Sequence, residues 1–314
     1  AIYKWAALES LPLLLHYACN VLTTASLSRV QARKCRTFRQ KNPKETPMTA
    51  SPLLLDIDGH VATLTINRPD SRNALGEAED GPAFAEAAEQ INGNIDIRAV
   101  ILTGAGKAFS AGGNIKAMND KAGSFAGAGV DIARGYYTGI HRIVKSLWSL
   151  EVPMIAAVNG PAIGLGNDVA CLADTRIASD KAIFGATFLK IGLVPGDGGS
   201  WLLPRVIGTA RAAELFFTGD VIDAETACQW GLVSRVVPHD DLMTEARKLA
   251  EKMAGQPPHV LRMTKRLMRQ GMTTTFDQIM DMSANMQALA HHTDDHAEAV
   301  SAFIEKRTPT YKGR

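Results

Sequence analysis

The chain has 314 residues, 46% of them apolar and 21% charged, with few aromatics and a formal net charge of +2. That length suffices for one large domain or two around a sizeable core, and no apolar run is long enough to span a bilayer. Residues 1–47 carry eight Lys/Arg against two Glu, net +6, which leaves −4 for the other 267 residues. The body of the chain therefore lacks the basic surface that nucleic acid would require. Cys19, Cys35, Cys171 and Cys228 are far apart and form no CxxC pair. Reduced thiols in a reducing compartment are expected, with no zinc site.

The first 47 residues differ from the rest. An apolar patch, Leu11-Pro12-Leu13-Leu14-Leu15, precedes a basic stretch with no acid between Glu9 and Glu45. Such a segment reads as an organellar transit peptide, as a non-native extension ahead of Met48, or as a functional arm. The location expected is cytoplasmic if Met48 is the native start and the mitochondrial matrix if the segment is a transit peptide.

From Met48 the pattern is regular. Leu53–Ile57 and Val61–Ile66 flank Asp58-Gly59-His60 and predict a hairpin. Asn67-Arg68-Pro69-Asp70 predicts a turn, and helical periodicity follows over residues 77–92. Ala99–Thr103 reads as a buried strand, residues 131–150 as one long helix, and residues 153–158 and 174–178 as two more strands. Past Pro195-Gly196-Asp197-Gly198-Gly199 the chain is mostly helical, apart from a strand-like piece at Leu232–Val237. Strand–helix alternation followed by helices predicts an α/β core, residues 48–250, with a helical C-terminal region, residues 251–314.

Two glycine-rich turns carry the chemistry. Asn159-Gly160-Pro161-Ala162-Ile163-Gly164-Leu165-Gly166-Asn167-Asp168 links the strand ending at Val158 to a helix, and Phe109-Ser110-Ala111-Gly112-Gly113-Asn114 lies upstream. Free N–H groups at a helix start, aided by the helix dipole, suit the oxygen of an activated thioester or similar carbonyl. Asp168 is an acid at that helix start, where a capping role is the alternative.

These turns belong to an ordered set. It runs from Ile66-Asn67-Arg68-Pro69 and Arg72-Asn73-Ala74-Leu75 through the two turns to Phe184-Gly185, Gly192-Leu193-Val194-Pro195-Gly196-Asp197-Gly198-Gly199 and Trp230-Gly231-Leu232-Val233. In order and spacing the set resembles the crotonase (enoyl-CoA hydratase/isomerase) superfamily, from about residue 52 to about residue 309. The resemblance implies a spiral of ββα units, an acyl-CoA substrate, no cofactor beyond the coenzyme A of that substrate, no metal, and trimers or dimers of trimers closed by the C-terminal helices.

Matched motif by motif, the resemblance puts the oxyanion-binding N–H groups on Gly113 and Leu165. Of the two glutamates of typical hydratases, the first falls on Asp168 and the second on Phe188, which cannot move a proton. Asp197 is the candidate replacement, with capping of the next helix as its alternative. Arg68, Arg72, Ala74, Ala111, Asn114, Ile115, Lys116, Gly164, Phe303 and Lys306 match coenzyme A-binding positions, and Phe188 and Trp201 match the acyl pocket. His292 and His296 share a helical spacing, but no further ligand supports a metal. His141 reads as a packing or surface residue.

The expected activity is hydration of a 2-enoyl-CoA. Double-bond isomerisation, or hydrolysis or decarboxylation of an acyl-CoA, is the alternative. A low-turnover protein of this fold that binds coenzyme A or nucleic acid is a reading of a different class.

Overall fold

The computed structural model describes residues 51–314; the expectations for residues 1–47 lie outside the described residues. In chain order its elements are β1 (Leu53–Asp58), β2 (Val61–Ile66), α1 (Asp80–Gly93), β3 (Ala99–Gly104), α2 (Ile115–Asn119), α3 (Gly129–Thr138), α4 (Ile140–Trp148), β4 (Met154–Val158), β5 (Ala162–Ile163), α5 (Leu165–Leu172), β6 (Thr175–Ser179) and β7 (Ile183–Gly185). Then follow α6 (Gly199–Ile207), α7 (Thr209–Thr218), β8 (Val221–Asp223), α8 (Ala224–Gln229), β9 (Arg235–Val237), α9 (Leu242–Ala254), α10 (Pro258–Gln270), α11 (Phe276–His291) and α12 (Asp294–Glu305).

The main sheet has the order β1-β2-β3-β4-β6-β9. Only the β1–β2 hairpin is antiparallel; the remaining pairings are parallel. Every residue of β3 and β4 is buried, as strands covered on both faces must be. One face packs on α1 and α4 through Phe84, Ile91, Ile140, Ile143 and Leu147. The other receives α9, whose Leu242, Ala246, Ala250 and Ala254 recur every four residues and meet Val61, Ile101, Ile155 and Ile177. A second sheet, β5-β7-β8, stands beside the site described below.

The fold is the expected α/β core with a helical C-terminal region, with five differences of detail. The helix expected over 131–150 is two helices, because Gly139, at φ −105° and ψ −91°, leaves the helical well. The helix expected from residue 77 starts at Asp80, whose carboxylate accepts the Gly76 and Glu77 N–H groups and holds the preceding turn open. The expected strand over 232–237 is regular only from Arg235. The short strands β5, β7 and β8 had no counterpart in the sequence pattern. Residue 250 lies inside α9, so one helix runs through the expected 250/251 boundary.

α10 is bound to the core by a row of cations. Arg262 donates to Asn92 O and Asn94 O, both at 3.0 Å, and pairs with Glu151. The buried Lys265 donates to Val152 O at 2.6 Å and pairs with Asp174 at 2.7 Å. Arg269 donates to the Trp148 and Leu150 carbonyls and stacks on the Trp148 ring, 4.1 Å from its centroid. These donors satisfy carbonyls left open where α1 and α4 end.

Candidate active site

The two glycine turns run side by side. Phe109 and Ser110 donate their N–H groups to Pro161 O, and Ile163 donates back to Ser110 O at 3.0 Å. The approach requires glycine: a Cβ at Gly166 would enter the Ser110 carbonyl, and one at Gly112 (φ +91°) would lie 2.5 Å from Ile163 O and 3.4 Å from Leu165 N. Gly164, at φ 55° and ψ −120°, turns the chain into α5. Leu165 is the first residue of α5, where an N–H has no intrahelical acceptor. The Gly113 and Leu165 N–H groups have no acceptor among the described residues. Met118 closes over them, its Cε 2.6 Å from where a Gly113 Cβ would stand.

Two acids are buried beside these turns. Asp168 is 0% exposed and Asp197 is 5% exposed. Asp168 Oδ2 accepts the Gly199 N–H at 3.0 Å, and Oδ1 of each acid has no hydrogen-bond partner among the described residues. Neither acid caps the helix it was expected to cap: Gly164 holds the cap position of α5 and Gly198 that of α6, without a side-chain bond. Burial, reinforced by the Asp197 charge, holds the Asp168 carboxyl well above the usual carboxylate range, and the Gly199 N–H offsets only part of this. Burial also raises Asp197 to about 6, against the opposing pull of His141. Asp168 is thus raised well above the ordinary range, Asp197 to about 6, which disposes the pair to share one proton between two acids.

Sequence reasoning missed two neighbours of this pair. His141 Nε2 lies 2.9 Å from Gly196 O, beside Asp197, so it is neither a plain packing residue nor a plain surface residue. The Tyr136 hydroxyl is raised by burial and then by the Asp197 charge. Both lie over 50 residues from Asp197 in sequence, and only the fold brings them together. Tyr136, Met118, Phe125, Ile132 and Leu193 line a cavity of about 530 Å³.

Phe188 is buried, with its Cζ 3.8 Å from where a Gly164 Cβ would stand, so it flanks the turn as an apolar wall. Trp201 packs between an aromatic and a cation. Its ring meets Trp148 edge-on at 5.4 Å and lies under Arg205 at 4.0 Å. It lines a separate cavity with Val144, Leu172 and Gly198.

The residues matched to coenzyme A positions divide into two groups. Arg68 is engaged internally, paired with Asp80 at 2.5 Å and Glu79 at 2.7 Å. Asn114 caps α2 by accepting the Ala117 N–H and donates to Glu77 at 2.5 Å. Arg72, at φ 53°, is exposed; its carbonyl accepts the Ala111 N–H and the half-buried Ala74 follows two residues on. Lys116 is exposed and Ile115 lines the Met118 cavity. Phe303, 86% exposed, and Lys306 stand at the end of α12, which packs on α11. His292 lies past the end of α11 and does not share a helix with His296; His291 Nδ1 and His296 Nε2 are the pair in contact, at 2.9 Å.

The family model described as enoyl-CoA hydratase/isomerase matches residues 56–314. Among curated relatives, the 1,2-epoxyphenylacetyl-CoA isomerase of Escherichia coli (strain K12) is 38% identical over 263 residues, covering 83% of this chain and 98% of its own. The short-chain-enoyl-CoA hydratase of Clostridium acetobutylicum is 35% identical over 263 residues, 83% of this chain and 97% of its own. The crystal structure of an enoyl-CoA hydratase from Bacillus anthracis superposes with a TM-score of 0.78 at 34% identity, covering 84% of this chain and 100% of that one. The chain therefore belongs to the enoyl-CoA hydratase/isomerase family.

Proposed function

We propose that the protein hydrates a 2-enoyl-CoA thioester through an enolate. The observation that carries this reading is the buried pair Asp168 and Asp197, each with an unpartnered Oδ1, beside the two free N–H groups of Gly113 and Leu165. The thioester oxygen lies between those N–H groups, which strengthen their hold as it gains charge. Water sits between the acids. Ionised Asp197 takes a proton from it as its oxygen adds to Cβ, and the electron pair of the double bond moves onto the thioester oxygen. Asp168, protonated, gives its proton to Cα as the enolate collapses. Transfer of the proton from Asp197 to Asp168 restores the starting state. No cofactor is needed beyond the coenzyme A of the substrate.

One observation favours a second reading, double-bond isomerisation. Asp168 Oδ2 is held by the Gly199 N–H, and the aromatic Phe188 walls the turn. Asp197 alone would then carry a proton from C2 to C4 of a 3-enoyl-CoA. Incubation with crotonyl-CoA and with a 3-enoyl-CoA, with product identification, separates the two. Asp168→Asn abolishes hydration but spares isomerisation, whereas Asp197→Asn abolishes both. Wild-type turnover by both variants would refute the two-acid site.

The exposed apolar side chains of the C-terminal helices, Met268, Phe276, Leu289, Phe303 and Ile304, support assembly as a trimer or dimer of trimers. Light scattering of the purified protein tests it. A matrix location rests on residues 1–47 acting as a transit peptide, a reading supported by the relative from Dictyostelium discoideum named as a probable mitochondrial enoyl-CoA hydratase, 36% identical. N-terminal sequencing of the native protein decides it.

A further inference from the structure

We infer that His141 is the positioning residue of the Asp197 turn, holding the Gly196 carbonyl so that the Asp197 carboxylate is aimed at the reacting carbons. The inference rests on the reading of Asp197 as the proton carrier.

Asp197 belongs to a segment without regular structure, between the 3₁₀ turn ending at Ile191 and α6. Its neighbours offer little to fix it. Gly196 and Gly198 flank it, Gly198 is left-handed at φ 101°, and Asp197 Oδ1 has no partner among the described residues. The peptide that carries Asp197 is anchored through its carbonyl on the other side: His141 Nε2 approaches Gly196 O at 2.9 Å. A carbonyl accepts, so this nitrogen carries the proton and donates. An acid flanked by two glycines and lacking a bond of its own needs such an external tie to hold one geometry.

The sequence places His141 there by breaking a helix. Gly135 abuts the Ser124 carbonyl, which a Cβ would approach to 2.5 Å, and at Gly139 a Cβ would lie 3.0 Å from Gly135 O. The two glycines let α3 dock against residue 124 and end, and α4 start in a new direction. Tyr136 thus reaches the turn from α3, with Cε1 3.9 Å from where a Gly196 Cβ would stand, while His141 reaches it from the first turn of α4. Tyr136 and Tyr137 meet the His141 ring edge-on at 5.9 and 5.4 Å and fix its plane. An uninterrupted helix over 131–150 would not permit this convergence.

The groups facing Asp197 are Asp168 from α5, Tyr136 from α3 and His141 from α4. Of these only His141 opposes the burial of the acid, so it has a second effect: it keeps Asp197 ionised at lower pH than burial alone would allow.

The test compares His141→Ala, His141→Gln and Asp197→Asn in the full chain. Activity on crotonyl-CoA and a 3-enoyl-CoA is read across pH, and hydrogen–deuterium exchange of the peptide spanning residues 192–201 is read without substrate. Gln offers an N–H donor of similar reach that does not titrate. Expected for His141→Ala are faster exchange of that peptide, at least a tenfold loss of kcat and a KM within threefold of wild type. His141→Gln restores the exchange protection and keeps kcat within about threefold. Both shift the acid limb of the profile to higher pH, because both remove the group that opposes the effect of burial on Asp197. Unchanged exchange in His141→Ala, or equal losses in the Ala and Gln variants, overturns the inference. If Asp197→Asn retains full activity, the reading of Asp197 fails instead, and the exchange data still decide whether His141 fixes the turn.

Discussion

Gly199 lies directly on the Asp168 carboxylate: its N–H donates to Oδ2 at 3.0 Å, and a Cβ on it would overlap the carboxylate group. The first N–H of α6 thereby binds the acid of α5, so the side chain at 199 and the position of Asp168 cannot be changed independently. Gly199→Ala should displace the carboxylate and leave a buried acid without its donor. We expect at least a hundredfold loss of kcat and a destabilisation of about 2 kcal/mol. Steady-state kinetics and urea unfolding measure the two effects. A variant with wild-type kcat would show that Asp168 does not need this seat.

Asp197 is predicted to cost stability. Its folded-state value near 6 lies above the ordinary 3.8, so between about pH 4 and pH 6 the folded chain binds more protons than the unfolded one. The stability contributed by this group therefore falls as pH rises through that window, by up to about 3 kcal/mol at neutrality. Asp197→Asn should unfold at higher urea concentration than wild type at pH 7.5, with the advantage vanishing near pH 4, while its turnover is lost. The wild-type kcat/KM should fall as pH drops below about 6, as Asp197 takes up its proton.

Gly112→Ala tests the paired N–H groups. The added methyl meets the Ile163 carbonyl and the Leu165 N–H at a backbone angle that disfavours alanine. We expect kcat to fall 10²–10³-fold, the range for loss of one oxyanion donor, whereas Asp168→Asn and Gly112→Ala combined should lose less than the product of the two. Kinetics of the three variants provide the check.

Lys265→Met should be destabilised by about 2–3 kcal/mol, because the Val152 carbonyl and Asp174 lose their buried donor. Thermal unfolding reads it, and kinetics at a temperature where the variant is fully folded should be close to wild type.

The sequence made the main sheet readable because β2, β3 and β4 carry enough alternating or continuous apolar residues to show their period. The strands β5, β7 and β8 are two or three residues long, too short for any period, and tertiary pairing alone makes them strands. The break at Gly139 was hidden because glycine is tolerated inside helical patterns; what surrounds it, Gly135 O and the Ser124 side chain, shows only in the fold. The two acids were singled out through the motifs that flank them. The Arg68 ion pairs were not foreseen, because Glu79 and Asp80 lie past the turn that carries Arg68, and Tyr136 and His141 were missed because nothing local in sequence ties them to Asp197.

α4 has a different occupant at each end. His141 in its first turn holds the Gly196 carbonyl, and Trp148, its last residue, is gripped by Arg269 of α10. A nine-residue helix is a stiff rod of roughly 13 Å. The C-terminal helices therefore act as a splint on the far end of that rod, and α4 ties α10 to the turn that carries Asp197 along a single rigid lever.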